Sequence, residues 1–276
     1  MESWREELYS ELYHHGIKGQ RWGVRRFQNP DGTLTPEGKI RYGFKREVEI
    51  LDKKVRDPSH KDDYSMKDVP ADLEEVKKRG DLTTSEAKRC IDIANSVYER
   101  AKKAEPEITK DVLEYGSLMN GLDHSLKERT SLAAKIGADA KSNGESFETA
   151  ASNINDSIRY TMIGAADNLV DKYEGFVNYL SRKGYSVQGV KNYFQKYKEG
   201  KVKHKALNAV FHSPNGVNFE VQFHTIESLV ARMQKVPLYN EARSKNISPE
   251  RKQSIERAMT LLAEMVNDPQ NIERIK

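Results

Sequence analysis

The chain has 276 residues, with 46 Lys+Arg against 42 Asp+Glu, 37% hydrophobic residues and one cysteine, Cys90. A lone cysteine excludes a disulfide framework and a cysteine-built zinc site, and no run approaches the roughly 18 apolar residues of a membrane span. The start, Met1-Glu-Ser-Trp-Arg-Glu-Glu7, has no apolar stretch of the signal-peptide kind, so the expectation is a soluble, intracellular, reduced protein.

Between His14 and Arg56 stand 11 Lys+Arg and 5 Asp+Glu. Such a basic arm favours an acidic partner, nucleic acid or a protein surface, or else is a solvated tail. Glycines at 16, 19, 23, 32, 38 and 43 and prolines at 30 and 36 predict turns here rather than a long helix. Residues 57–82 carry Pro58, Pro70 and Gly80 among mixed charges and read as a linker.

Regular structure is expected from Thr83-x-x-Glu86, a capping box. Ile91, Ala94, Val97, Tyr98 and Ala101 follow at helical spacing. Pro106 and Thr109 read as the opening of a second helix with Val112, Leu113 and Leu118 as its apolar positions. Residues 156–163 are β-branched-rich and read as a strand. Residues 168–184 form an amphipathic helix stopped by Gly184. The runs 206–212 and 218–225 flank the turn Ser213-Pro-Asn-Gly216 and predict an antiparallel hairpin. A last helix begins at Ser248-Pro249, a cap followed by proline at the first helical position. Helices, a small sheet with a crossover helix, then helices again make the fold class α+β.

Alternation along the second hairpin strand puts Glu220, Gln222 and His224 on one face and Phe219, Val221 and Phe223 on the other. A solvated strand face also looks like this. Asp156 and Arg159 on another strand add a carboxylate and a cation. Two carboxylates among lysines suit a Mg²⁺–phosphate site.

Two resemblances attach to these residues. The stretch His15-Gly-Ile-Lys-Gly-Gln-Arg-Trp-Gly through Gly43 resembles a short module of phage- and prophage-encoded proteins. Lys127-x-x-x-Ser131-Leu132-x-x-Lys135-Ile136, then Asp156-Ser-Ile-Arg159, then Glu220-Val-Gln-Phe-His-Thr225 resembles the synthetase domain of RelA/SpoT-type alarmone synthetases, in its small, toxin-like version. The resemblance spans about residues 105 to 245; with the basic arm, the linker composition and the cap at Thr83, the chain is read as 1–56 (basic module), 57–82 (linker) and 83–276 (synthetase-like domain).

That resemblance implies a nucleotidyltransferase-like fold with a mixed or antiparallel sheet. It also implies transfer of the β,γ-pyrophosphate of ATP, with Mg²⁺, to the 3′-hydroxyl of a purine nucleotide. Glu220, Asp156 and Arg159 become the catalytic set, with Asp156 and Glu220 as metal ligands. Lys127, Arg129, Ser131, Lys135 and Arg159 become ATP-binding; His204, Lys191, Lys203, Asn208, Gln222 and His224 become acceptor-binding. Where the family has its metal-binding aspartate, five before the arginine, this chain has Ile154. Asp156 is read in its place, because three and five share parity in a strand. Ser125 replaces an ATP-binding arginine, leaving His124 or Arg129 to stack on adenine, and His204 replaces the tyrosine that stacks on the acceptor base. No hydrolase half with a His-Asp metal site accompanies the motifs.

The same chemistry on the 3′ end of tRNA would make the protein a toxin that blocks translation. A non-catalytic phage structural or interaction protein is the reading from another class. RNA calls for a broad basic surface, yet the excess charge lies in the arm, which favours a small nucleotide. The implied setting is the cytoplasm of a bacterial host, without membrane, the arm meeting a phage or host protein.

Overall fold

The computed structural model describes residues 27–29, 31–57, 68–198, 200, 204–242 and 247–276. The first part of the phage-type module, residues 15–26, and Lys203 lie outside the described residues.

Helix α1 (Pro36–Arg56) corrects the expectation of turns. The Thr35 hydroxyl accepts the Gly38 N–H at 3.1 Å and Pro36 occupies the first turn, where its missing N–H costs nothing. Ile40, Phe44, Val48, Leu51 and Val55 recur at helical spacing and join the core. Helix α2 (Leu73–Gly80), capped by Asp72 through the Glu75 N–H at 2.9 Å, corrects the linker reading for its residues; Val76 is fully buried. One core cluster runs from Phe44 to Ile275, so packing does not divide at residue 83.

Helix α3 (Thr84–Glu114) begins at the expected capping box, with Glu86 accepting the Thr83 N–H at 2.7 Å and Thr83 accepting that of Glu86 at 3.3 Å. It continues through Pro106 instead of restarting there. Interior proline costs about 3 kcal/mol, but Ala101, Ala104, Ile108 and Val112 keep one face buried across it. Burial of those side chains offsets the lost hydrogen bond. Strand β1 (Leu118–Asn120) and a short 3-10 turn (Leu122–His124) lead into α4 (Arg129–Asn143). Leu82 wedges between α2 and α4: a Cβ on Gly80 or Gly137 would lie 2.7 or 2.5 Å from its Cδ1.

Helix α5 (Phe147–Ser152) precedes β2 (Arg159–Ile163), which starts three residues later than the predicted strand. Then come α6 (Leu169–Arg182), β3 (Ser186–Asn192), α7 (Tyr193–Lys198), β4 (Leu207–His212), β5 (Asn218–His224), α8 (Ile226–Ala242) and α9 (Pro249–Glu264). The α6 helix, the β4–β5 hairpin and the Ser248-Pro249 start of α9 agree with the sequence reading. The five strands form a mixed sheet in the order β1-β2-β5-β4-β3, in which only β2 and β5 run parallel. The fold is α+β, as expected. α1 packs on α8, α9 and β1. Within the described residues no helix is long and apolar enough to cross a membrane.

Candidate active site

The sheet separates two chemistries. Tyr160, Met162, Leu207, Ala209, Phe211, Phe219, Val221 and Phe223 are buried, and α6 covers them through edge-on contacts of Phe176 with Phe211 (5.5 Å) and Phe223 (5.8 Å). The opposite face carries the polar residues. Register places Arg159 opposite Glu220 across the parallel pair, and aligns Thr161, Gln222, Asn208 and Lys191 in a row over four strands. The alternation read along 219–224 therefore holds.

Asp156 sits in the loop before β2, not on the strand, so strand parity does not set its direction. Its carboxylate is gripped by two ammonium groups: Lys127 Nζ at 2.6 Å on Oδ2 and Lys135 Nζ at 2.8 Å on Oδ1. The chain delivers Lys127 just ahead of α4, where Lys127 N–H donates to the Ser157 carbonyl (2.9 Å) and Arg159 N–H to that of Ser125 (2.7 Å). Side-chain exposure of Asp156 and Lys127 is 15% each. Burial alone would raise the Asp156 pKa, but the two lysines outweigh it and hold the carboxyl at about 2. Burial pushes the Lys127 ammonium below its ordinary value; Asp156 opposes this and Lys135 and Arg159 add to it. A dilysine clamp on one carboxylate, beside Arg159, is a ready seat for a polyanion.

Glu220 has a partner on each oxygen. Asn208 Nδ2 donates to Oε2 at 3.2 Å, and Gln222 Nε2 donates to Oε1. Arg232, reaching in from α8, donates to Gln222 Oε1. Tyr193 also faces this centre: burial raises its hydroxyl pKa, the Glu220 charge raises it further, and Lys135 opposes. The Tyr193 ring packs on His204 at 4.3 Å between centroids, tilted 42°, with Lys196 Nζ 5.4 Å from the Tyr193 ring centre. Lys235 is buried on the same side, its ammonium pushed down to about 8 by burial and by Lys205. Lys191 is exposed.

Two groups of residues are placed differently from the reading. His224 is 1% exposed and belongs to the seam between β5 and α8. The Ser228 hydroxyl donates to the Thr225 carbonyl at 3.1 Å, so it accepts from His224 Nδ1–H at 2.7 Å. That leaves Nε2 a buried lone pair without a partner among the described residues. Burial, reinforced by Arg232 and His204, pushes this imidazole down to about 3. Arg129 turns to α3 and to the segment before α2: it donates to Asn95 (2.9 Å) and Glu99 (2.6 Å) on α3 and to Asp68 (3.0 Å), and lies 3.9 Å over the Tyr98 ring. Ser131 accepts from Arg79 at 3.2 Å. The Arg129 guanidinium read as a stacking partner for adenine thus lies over the Tyr98 ring instead, and His124 is exposed on its 3-10 turn.

Sequence reasoning missed Tyr193 as a site residue, along with Arg232 and Lys235. Tyr193 was within reach, since it follows Lys191-Asn192. The two α8 cations gave no signal, being polar residues in a helix whose covering of the sheet cannot be read from spacing. Among the described residues no three His, Cys, Asp or Glu side chains gather to hold a metal. Asp156 and Glu220 are nonetheless hard oxygen donors of the kind Mg²⁺ takes. Each oxygen already has a lysine or amide partner, so the set fits a dication arriving with phosphate oxygens, whose charge can draw the lysines away.

No protein-family model and no curated protein matches the chain. Solved structures are similar to it in part. Small alarmone synthetase 1 from Bacillus subtilis, bound to its product pppGpp, is 18% identical over 61% of this chain and 88% of that one, with a TM-score of 0.41. A GTP pyrophosphokinase family protein from Streptococcus pneumoniae is 13% identical over 67% and 90%, with a TM-score of 0.39. The type VI effector Tas1, solved with its immunity protein, is 18% identical over 60% and 93%, with a TM-score of 0.37.

Proposed function

We propose that this chain is an ATP-dependent pyrophosphokinase that uses a purine nucleotide as acceptor. The observation that carries the reading is the pairing of Arg159 with Glu220 across β2–β5, with both Glu220 oxygens fixed, beside an Asp156 clamped by Lys127 and Lys135. The order of these residues in the synthetase-like motifs supports the same chemistry.

Lys127 and Lys135 exchange the Asp156 carboxylate for phosphate oxygens when the triphosphate enters, and Arg159 adds a third cation. The acceptor base lies against the Tyr193–His204 pair, which brings its 3′-hydroxyl to Glu220. Glu220 accepts the hydroxyl proton; the oxygen bonds to the β-phosphorus, the bond from that phosphorus to the α,β-bridging oxygen breaks, and AMP leaves. Asp156 and Glu220 would hold Mg²⁺, which when bound neutralises phosphate charge and orients the in-line displacement.

Glu220→Gln tests this. An amide of the same shape cannot accept the proton and is a poor ligand for a hard cation, so AMP release should fall by on the order of 10²–10⁴ while the melt stays within a few degrees. Purified protein is given labelled ATP and Mg²⁺ with adenine or guanine nucleotides in one arm and tRNA in the other. Wild-type turnover by the variant removes Glu220 from the reaction. Labelling of tRNA alone replaces the nucleotide acceptor with RNA.

A further inference from the structure

Arg232 lies outside the synthetase-like motifs, on α8. Its guanidinium is largely buried, feels the charges of both Arg159 and Glu220, and donates to Gln222 Oε1. Gln222 in turn donates its Nε2 to Glu220 Oε1. Side-chain amides are often ambiguous in orientation, but not here. A guanidinium only donates and a carboxylate only accepts, so the Gln222 amide must present oxygen to Arg232 and nitrogen to Glu220. Without Arg232, only the bond to Glu220 itself still selects that orientation, and the amide oxygen loses its anchor. A flipped amide would set an oxygen against the Glu220 carboxylate and drive it off its place.

We infer that Arg232 is a positioning residue for the transfer reaction: through Gln222 it locks the Glu220 carboxylate in the orientation that receives the acceptor proton. The inference rests on the pyrophosphokinase reading and adds α8 to the machinery of that site. Asn208 secures the second Glu220 oxygen from β4, so the base is held from two elements at once. Arg232 acts on geometry, so its loss should appear in kcat. A phosphate-binding arginine would appear in KM.

Two variants separate these roles. Arg232→Met keeps the buried length and loses the donors; Arg232→Lys keeps a cationic donor. Displacing a catalytic group by about 1 Å can cost on the order of 10²-fold. Arg232→Met should therefore lower kcat by that order with KM for ATP and acceptor within about twofold, and Arg232→Lys should recover most of the rate. An unchanged kcat, or a raised KM at constant kcat, overturns the proposal. A second readout does not depend on turnover. The Gln222 side-chain amide protons, followed by NMR, should exchange slowly in the native protein and fast in Arg232→Met, and equal exchange also overturns it. A native protein that turns over no nucleotide removes the pyrophosphokinase reading, while the exchange measurement still decides whether Arg232 holds Gln222.

Discussion

His224 should make this protein acid-sensitive in a way that one substitution removes. The imidazole is buried between β5 and α8 and held at about 3, against about 6.5 in an unfolded chain. Between those values the unfolded state binds a proton that the folded state does not, so stability falls as pH drops below about 6.5. One proton contributes about 1.4 kcal/mol per pH unit over that range, which integrates to about 2 kcal/mol between pH 7 and pH 5. His224→Asn keeps a donor where Nδ1–H meets Ser228 and cannot titrate. Urea unfolding of both proteins at the two pH values is the assay. The native chain should lose about 2 kcal/mol more than the variant, the remaining histidines cancelling because both chains carry them. Equal losses would show that His224 protonates in the folded state, and the tautomer argument would fail with it.

Two further outcomes follow from packing and charge. Deleting residues 1–80, a cut just ahead of the capping box, strips Phe44, Leu51, Val55 and Val76 from the core. At about 1.5–3 kcal/mol each this rivals the whole stability of a domain, so the truncated chain should aggregate or lose its cooperative melt, and a soluble product melting at the native midpoint would refute the packing of α1 and α2. Asp156→Asn should destabilise the protein by about 2 kcal/mol at pH 7, read as a lower urea midpoint. A carboxyl held near 2, where 3.8 is ordinary, contributes its full stabilisation above the ordinary value and loses it as pH falls through about 2. An unchanged midpoint would mean that the two lysines contribute nothing net.

What was legible in the sequence was what short-range rules govern. The Thr83–Glu86 box, the Ser213–Gly216 turn and the Phe219, Val221, Phe223 alternation all act over a few residues, and each appears in the fold. The Lys127, Lys135, Asp156, Arg159 and Glu220 group was legible only through motif order; in the fold Lys127 and Lys135 close on Asp156, and Arg159 stands in register with Glu220. What escaped depended on distant partners. Gly38 and Gly43 made α1 look like loop, because the surfaces of α8 and α9 that bury its apolar stripe are some two hundred residues away. Pro106 looked like a break for the same reason. Arg129 was a fair match for a nucleotide contact until Tyr98, Asn95 and Glu99 on α3 turned out to take its guanidinium. Asp156 fell off its strand because β2 pairs with β5 only from Arg159 onward.

That late, parallel pairing also bears on how the protein comes to life. β4 and β5 meet through a tight turn and can zip locally, whereas β2 and β5 join residues about sixty positions apart, Arg159 with Glu220 and Ile163 with His224. Closing such a loop costs entropy before any contact repays it, which makes non-local strand pairing slow. Arg159 and Glu220 stand on opposite sides of that seam. A nascent or partly folded chain can therefore hold its hairpin, its long α3 helix and even its lysine-bearing α4 and still lack the proposed site, because Arg159 and Glu220 come together only when the slow seam closes.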